Sequence, residues 1–383
     1  MPNTAKTAKK ALICDWLDVY SGAERCIAAF TDIYSDFDIY SLVDFMGQRE
    51  RDIVLKGKYA STSYIQHLPF AKKYFRLYFP LFAGAIENFD LSSYDIVLSS
   101  SHCVAKNALT NANQLHISYL YTPTRYAWDM THDYLARLNP LLRPFASKSL
   151  HKFRIWDASC ANRPDKIIAI SRFIASRVAK IYGRKADVIY PPVDTNAFKL
   201  KENKDDYYIT CGRLVGYKKA DLLVRAFNAN GKKLVVVGSG EQLGELKAIA
   251  KPNIELLGRV NDDELQKLLQ NARAFVYAGI EDFGIAAIEA MSCGTPVIAY
   301  NLGGVSESVQ NSDKLGIKSG ILFNEQNEAS LNEIIIKFER ELGKYEPARI
   351  CEYAQTYSTQ NYKTNMQNYI NQSYINFKTK GLA

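Results

Sequence analysis

The sequence predicts an α/β protein built from two Rossmann-like, doubly wound domains, and three observations carry that expectation. The 383 residues exceed what one hydrophobic core usually serves, and 47% of them are apolar, enough for two cores. Short apolar strands alternate with helical stretches, the pattern of a parallel sheet covered on both faces. That rhythm then restarts after a turn-rich link, Tyr190-Pro191-Pro192-Val193-Asp194, whose prolines continue neither a helix nor a central strand. The expected domains are therefore residues 1–188 and 195–357, with a hinge between them.

The first domain opens with the apolar run Ala11–Trp16, a small-residue turn at Ser21-Gly22-Ala23-Glu24, and a helix through Phe30: the start of a βα unit. Further strands are expected at Asp38–Val43, Ile96–Ser99, Ile117–Tyr121 and Lys166–Ile170, with helices at Tyr64–Phe82 and Phe145–Ala161. The second domain repeats the pattern at Tyr207–Thr210, Leu234–Val237, Ile254–Leu257, Ala274–Tyr277, Val297–Ala299 and Gly320–Leu322. The polar, Tyr/Asn/Gln-rich tail from Glu352 to Phe377 reads as one or two helices.

Composition excludes several classes. No run of about 18 uncharged apolar residues predicts a membrane-spanning helix. Lys6, Lys9 and Lys10 precede an apolar stretch, but Asp15 and Asp18 interrupt it where a secretory signal would not tolerate charge, so a cytoplasmic protein is expected. The seven cysteines are scattered, with no CxxC or Cys/His cluster, and read as reduced core residues; no metal site is expected. The net charge of +8 falls on residues 1–190, the remainder summing to about zero, an asymmetry that suits an anionic partner. Two segments carry the excess: Lys72–Phe79 with the following Pro80-Leu81-Phe82, and Arg143–Lys185. Cations interleaved with aromatics suit the headgroup level of an anionic membrane. A solvated face with some core aromatics is the plain alternative, and nucleic acid is disfavoured because no recognised binding motif accompanies the charge.

Chemistry concentrates in the second domain. Gly212-Arg213-Leu214 with Lys218 and Asp221 lies between a strand and an amphipathic helix, where Arg213 and Lys218 can converge on one anion or stand as two solvated cations. In Gly279–Ala290, Glu281 and Glu289 are eight residues apart, which places both carboxylates along one helix face. The amides of Phe283, Gly284 and Ile285 lie at that helix's start, suited to a phosphate. Two motifs are set aside. Asp36-Phe37-Asp38 has a metal-binding spacing but sits in a helix-to-strand turn, and Gly238-Ser239-Gly240 lacks the third glycine of a dinucleotide fingerprint, Leu243 standing in its place.

The Glu281-to-Glu289 spacing resembles the E-x7-E signature of the retaining glycosyltransferase family 4, whose members have the GT-B fold. Ala290–Gly304 (AMSCGTPVIAYNLGG) and Ser21-Gly22-Ala23-Glu24 resemble further family segments, Ser21 replacing a glycine. Ser99–Lys106 (SSSHCVAK), Tyr121–Asp129 (YTPTRYAWD) and Tyr190–Asp194 (YPPVD) resemble a subgroup of bacterial mannosyltransferases of surface-polysaccharide assembly. The resemblance implies that Glu281 contacts the donor sugar and Glu289 the nucleotide ribose. It further implies that Arg213 and Lys218 hold the diphosphate with the Phe283, Gly284 and Ile285 amides and Gly22, while Gly238, Arg259 and Val260 flank the base. The fold it implies has its domains facing across a cleft, with a C-terminal helix at about 358–383 crossing back to the N-terminal domain. Catalysis would need no metal and no cofactor beyond a nucleotide-sugar donor, GDP-mannose by the subgroup, and no protein nucleophile.

Tyr121 stands where that subgroup carries a histidine lining the reaction centre; it can donate a hydrogen bond but cannot be a cation near neutral pH. His102 and His116 are the other imidazoles of this region, and His102, Lys106, Arg125, Trp128 and Asp129 are expected on the acceptor side. The acceptor class implied is a glycan or lipid-linked glycan of polysaccharide or lipopolysaccharide synthesis, reached from the inner face of the cytoplasmic membrane, with no nucleic-acid partner. A UDP-sugar donor, an epimerase of the same fold and a non-catalytic sugar-nucleotide-binding protein stay open as alternatives.

Overall fold

The computed structural model describes residues 4–310 and 316–380. The chain divides into two units, one running up to Tyr190 and resuming at Tyr362, the other Pro191–Asn361. Each is built on its own parallel sheet.

In the first unit the strands are β1 (Lys10–Cys14), β2 (Asp38–Ser41), β3 (Ser61–Thr62), β4 (Ile96–Ser101), β5 (Leu115–Leu120), β6 (Lys166–Ala169) and β7 (Asp187–Val188), in the order β3-β2-β1-β4-β5-β6-β7. Every residue of β1, β4 and β5 is buried, as a parallel sheet covered on both faces requires. The two-residue edge strands β3 and β7 have no signal in the sequence, being too short for any periodicity to develop.

Two helix expectations are corrected. The stretch Tyr64–Phe82 is not one helix but a 3₁₀ turn (Tyr64–His67), a single helical turn (Ala71–Tyr74), a second 3₁₀ segment (Phe75–Leu81) and a short helix (Phe82–Glu87). Pro69 and Pro80 cannot donate to a helical ladder, and Phe70 takes the left-handed conformation at φ 55°. The helix expected at Phe145–Ala161 runs Arg143–Ser159, because Pro144 sits in its first turn, where a missing N–H costs nothing.

The second unit contains β8 (Tyr208–Cys211), β9 (Leu234–Val237), β10 (Ile254–Gly258), β11 (Ala274–Tyr277), β12 (Val297–Tyr300) and β13 (Gly320–Phe323), ordered β10-β9-β8-β11-β12-β13. Counted within the unit, this is the 3-2-1-4-5-6 order of a dinucleotide-type fold, with the direction of winding reversing between β8 and β11.

The C-terminal helix is Thr359–Lys380; the expected extent to 383 lies partly outside the described residues. From Tyr362 it belongs to the first unit. There Asn371 accepts from the Tyr34 hydroxyl at 2.9 Å, the Tyr369 hydroxyl donates to Asp187 at 2.6 Å, and the buried Tyr362 ring meets Phe30 and Tyr119.

Candidate functional site

In an open parallel sheet, ligands bind beyond the strand ends at the point where the winding reverses, because the loops there diverge and leave a crevice. In the second unit that point lies between the loop after β8 and the loop after β11. These two loops carry Lys218 and Glu281, whose Nζ and Oε1 atoms are 2.6 Å apart, with about a fifth of each side chain exposed.

The approach is made possible by glycine. Gly212 lies at φ 145°, and a Cβ there would come 3.0 Å from Lys218 Nζ; a Cβ on Gly279 would come 2.7 Å from Lys218 Cα. The loop's underside is held by backbone bonds, Gly212 N to Val237 O (3.0 Å) and Leu214 N to Ser239 O (2.9 Å). A Cβ on Gly238 would come 1.8 Å from the Gly212 carbonyl oxygen, so this glycine is dictated by loop-against-loop packing. Gly258 O in turn accepts from Gly238 N at 2.7 Å, which links the following turn to the same stack.

Glu281 and Glu289 do not share a helix. The helix is Ile285–Ser292, and Glu281 belongs to the turn before it, four residues beyond the end of β11, so the expectation of two stacked helical carboxylates is corrected. Gly284 forms the N-cap at φ 95°, which breaks the helix there. The charges of both acids reach one buried group: the Cys211 thiol, raised mainly by burial, is raised further by Glu289 and Glu281 and lowered by Lys218. Glu289 is buried, at 8% exposure.

Sequence reasoning missed what anchors the 281–284 turn. Gly304 N donates to Glu281 O at 2.7 Å, and Cβ atoms on Gly303 and Gly304 would come within 2.7 and 2.2 Å of the Glu281 and Asp282 carbonyl oxygens. The signal available was the glycine pair two residues after a strand. Phe283 is buried against Tyr357. Arg213 and Arg259 are exposed, Val260 half-buried.

The first unit has its own reversal point, between β1 and β4, and a second cluster assembles there. The buried Asp15 carboxylate, read from the sequence only as a charge interrupting an apolar run, accepts from four successive amides, those of His102 (2.5 Å), Cys103 (2.9 Å), Val104 (2.6 Å) and Ala105 (2.7 Å). It also lies 3.1 Å from His102 Nδ1, while the imidazole meets Trp16 edge-on at 4.4 Å. Glu24 accepts from the Ser21 amide (3.0 Å) and hydroxyl (2.5 Å), so the serine that replaces a glycine adds a donor to this cap. Burial raises the Glu24 carboxyl, partly offset by those bonds and by His102. The Tyr121 hydroxyl donates to Ala23 O at 3.1 Å and pairs with Ser100 at 2.8 Å, and its ring lies 6.2 Å from His102. Tyr121 thereby ties the end of β5 to the start of the helix Gly22–Ile33.

The remaining expected residues separate. Lys106 is 3% exposed and paired with the fully buried Asp157, which also accepts from Asn107 (3.0 Å), the Trp128 indole (2.8 Å) and the Tyr182 hydroxyl (2.8 Å). This network places Lys106 and the Trp128 nitrogen in the core rather than at a surface. Asp129 is exposed and paired with Arg177; Arg125 is half-buried. His116 is fully buried with Nε2 3.0 Å from the Ser99 hydroxyl, and burial lowers its imidazole to about 3, so it stays neutral. Asp36 and Asp38 are engaged by Lys10 and Tyr94. Among the described residues no group of three or more His, Cys, Asp or Glu could hold a metal ion.

Residues 193–356, a segment that contains the Lys218–Glu281 pair and Glu289, match the family described as Glycosyl transferases group 1. The GDP-mannose-dependent alpha-(1-6)-phosphatidylinositol monomannoside mannosyltransferase of Mycobacterium tuberculosis is 31% identical over 182 residues, 39% of this chain and 47% of the relative. The O-antigen chain mannosyltransferase RfbU of Salmonella typhimurium is 25% identical over 213 residues, 51% of this chain and 59% of the relative. The chain thus spans about half the length of the curated relatives it matches. Among solved structures, Anabaena HepE in complex with UDP-glucose aligns with a TM-score of 0.66 at 19% identity, covering 95% of this chain and 99% of that one. Sucrose-phosphate synthase from Thermosynechococcus elongatus aligns at 0.68 and 15% identity, over 96% and 99%. At such identities the likeness shows the fold: two Rossmann-like domains of the GT-B class.

Proposed function

We propose that the chain is a retaining glycosyltransferase that moves a hexose, mannose from GDP-mannose, onto a glycan or lipid-linked glycan acceptor of surface-polysaccharide or lipopolysaccharide synthesis. The observation that carries the reading is the Lys218–Glu281 pair at the winding reversal of the second sheet, with the buried Glu289 in the helix that follows, inside the segment that matches the transferase family. In this reading Lys218 and Arg213 neutralise charge as the nucleotide diphosphate departs, and the amides of Phe283, Gly284 and Ile285 hold its phosphates. Glu281 receives hydroxyls of the sugar and Glu289 the ribose, with Gly238, Arg259 and Val260 near the base. The departing phosphate takes the acceptor hydroxyl's proton on the same face, which retains configuration without a protein nucleophile. For the first unit the reading assigns Gly22 a donor contact and Tyr121 a catalytic role, with His102, Arg125 and Asp129 as the acceptor-side candidates. The proposed location is the cytoplasmic face of the membrane; no described helix is long and apolar enough to cross one.

GDP-mannose is supported by the Mycobacterium relative's stated donor, and a UDP-sugar is favoured instead by the solved HepE complex with UDP-glucose. A thermal-shift panel of GDP, UDP, GDP-mannose and UDP-glucose separates the two. A ligand at about 100 times its Kd stabilises the fold by about 2.7 kcal/mol, a shift of several degrees. Selective stabilisation by the guanine nucleotides supports the mannose reading, selective stabilisation by the uracil nucleotides replaces it, and no shift with any of the four removes the donor site altogether.

A further inference from the structure

The two basic, aromatic segments of the first unit, some sixty residues apart in sequence, are joined in the fold. Phe79 meets Phe153 at 4.7 Å and Tyr126 at 5.3 Å, and Tyr126 meets Tyr134 at 5.5 Å. Neither 64–86 nor 134–156 contains an Asp or Glu, and they carry three and five Lys/Arg respectively, together equal to the net charge of the whole protein.

Their inner side is filled: Phe75, Phe82, Leu150 and Phe153 are buried in one core cluster. Their outer side is apolar as well. Phe70 is 80% exposed, Leu77 75%, Leu141 80%, Leu142 57% and Phe145 76%. The helix Thr131–Arg137 has no buried residue. Its end is tied to the start of the next helix by Arg143, whose guanidinium donates to Ala136 O (2.9 Å) and Leu138 O (3.1 Å), so Leu141, Leu142 and Phe145 stand on an ordered helical hairpin. A merely solvated helix face would carry polar side chains at such positions.

Charge decides what covers this surface. A second copy of the chain in a symmetric contact would set the same predominantly cationic patch, in which Asp133 and the Arg76-paired Asp18 are outnumbered, against itself, and like charges so placed are repulsive. A nucleic acid would satisfy the cations but would leave Leu141 and Leu142 against water or phosphate. Only a surface that is anionic at its rim and apolar beneath satisfies both sets of side chains. We propose that the hairpin tip, with Leu141, Leu142 and Phe145, enters the headgroup–acyl boundary of an anionic phospholipid bilayer, with Lys148 and Lys152 of the same helix and Lys72 and Lys73 of the neighbouring segment at the phosphate level. This surface would carry the proposed transferase to a lipid-linked acceptor; it rests on that reading for its purpose but not for its physics.

The test is co-sedimentation of the full chain with vesicles of phosphatidylcholine alone or containing about 30% phosphatidylglycerol, each basic residue near such a surface contributing roughly fivefold in affinity. The parent is expected to bind the anionic vesicles, and raised salt to weaken binding without abolishing it. Replacing Leu141→Asp and Phe145→Asp together should lower affinity at least tenfold at every salt concentration, with thermal stability unchanged because both side chains are exposed. Lys148→Glu with Lys152→Glu should remove the preference for the anionic vesicles. Binding by the aspartate variant equal to the parent's would overturn the insertion. So would a parent that ignores vesicles but sediments as a dimer that the same variant dissociates. Nucleotide thermal shifts run on the same proteins keep the two readings apart: vesicle binding without any nucleotide shift would remove the transferase and leave the membrane surface standing.

Discussion

Replacing Lys218 by Met probes the proposed chemistry most directly. The ammonium sits 2.6 Å from Glu281 Oε1, and both side chains are about one-fifth exposed. A partly screened pair of this kind contributes about 0–1 kcal/mol to folding, so the variant's Tm should fall by no more than about 2–4 °C. Catalysis should suffer far more. The charge on the leaving diphosphate grows as the glycosidic bond breaks, and one preorganised cation or donor aimed at such charge supplies about 2.7–4 kcal/mol, or about 10²–10³ in kcat. The loss should appear in kcat more than in KM, because the interaction strengthens only on the way to the transition state. Single-turnover consumption of whichever sugar nucleotide gives the largest thermal shift is the assay. The double variant Lys218→Met/Glu281→Gln should lose less than the product of the two single losses, since each replacement already breaks the shared contact. A Lys218→Met protein that turns over within about threefold of the parent, at equal stability, would refute the assignment of the loop after β8 to the leaving group.

Two further outcomes follow from the first unit. Burial holds His116 at about 3, against an ordinary value near 6.5, so between those values the unfolded chain binds the extra proton and stability rises with pH; about 1.6 kcal/mol should be lost between pH 6.5 and pH 5. Urea melts across that range should show a flatter pH dependence for His116→Asn, and identical slopes for variant and parent would contradict the burial argument. Lys106→Ala should destabilise the protein by about 3–5 kcal/mol, because it leaves the fully buried Asp157 carboxylate without its cation. A thermal melt unchanged by that substitution would show that Lys106 is free of the core network and return it to the surface role its sequence context suggests.

The sequence alone determined the fold class, because parallel strands buried on both faces have to be written as short apolar runs separated by helices, and the runs at Leu12, Leu98, Val236 and Val276 read in that way. It also singled out Lys218 and Glu281 as candidates, since their loops follow strands and are marked by glycines, and Glu289 in the helix that comes next. The three-dimensional fold decided what local spacing cannot encode. Eight residues of separation suggested a common helix for Glu281 and Glu289, yet Gly284 at positive φ starts the helix after Glu281, and the Gly303-Gly304 backbone, some twenty residues on, fixes that turn. Lys106 resembled a ligand-facing cation until the fold brought Asp157, 51 residues away, against it. Asp15 looked like one charge in an apolar run; four amides from the loop after β4 make it the anchor of His102. The physical reason is the same in each case: strand and helix patterns arise from neighbours along the chain, whereas the partner of a buried charge comes from a distant segment delivered by the sheet order.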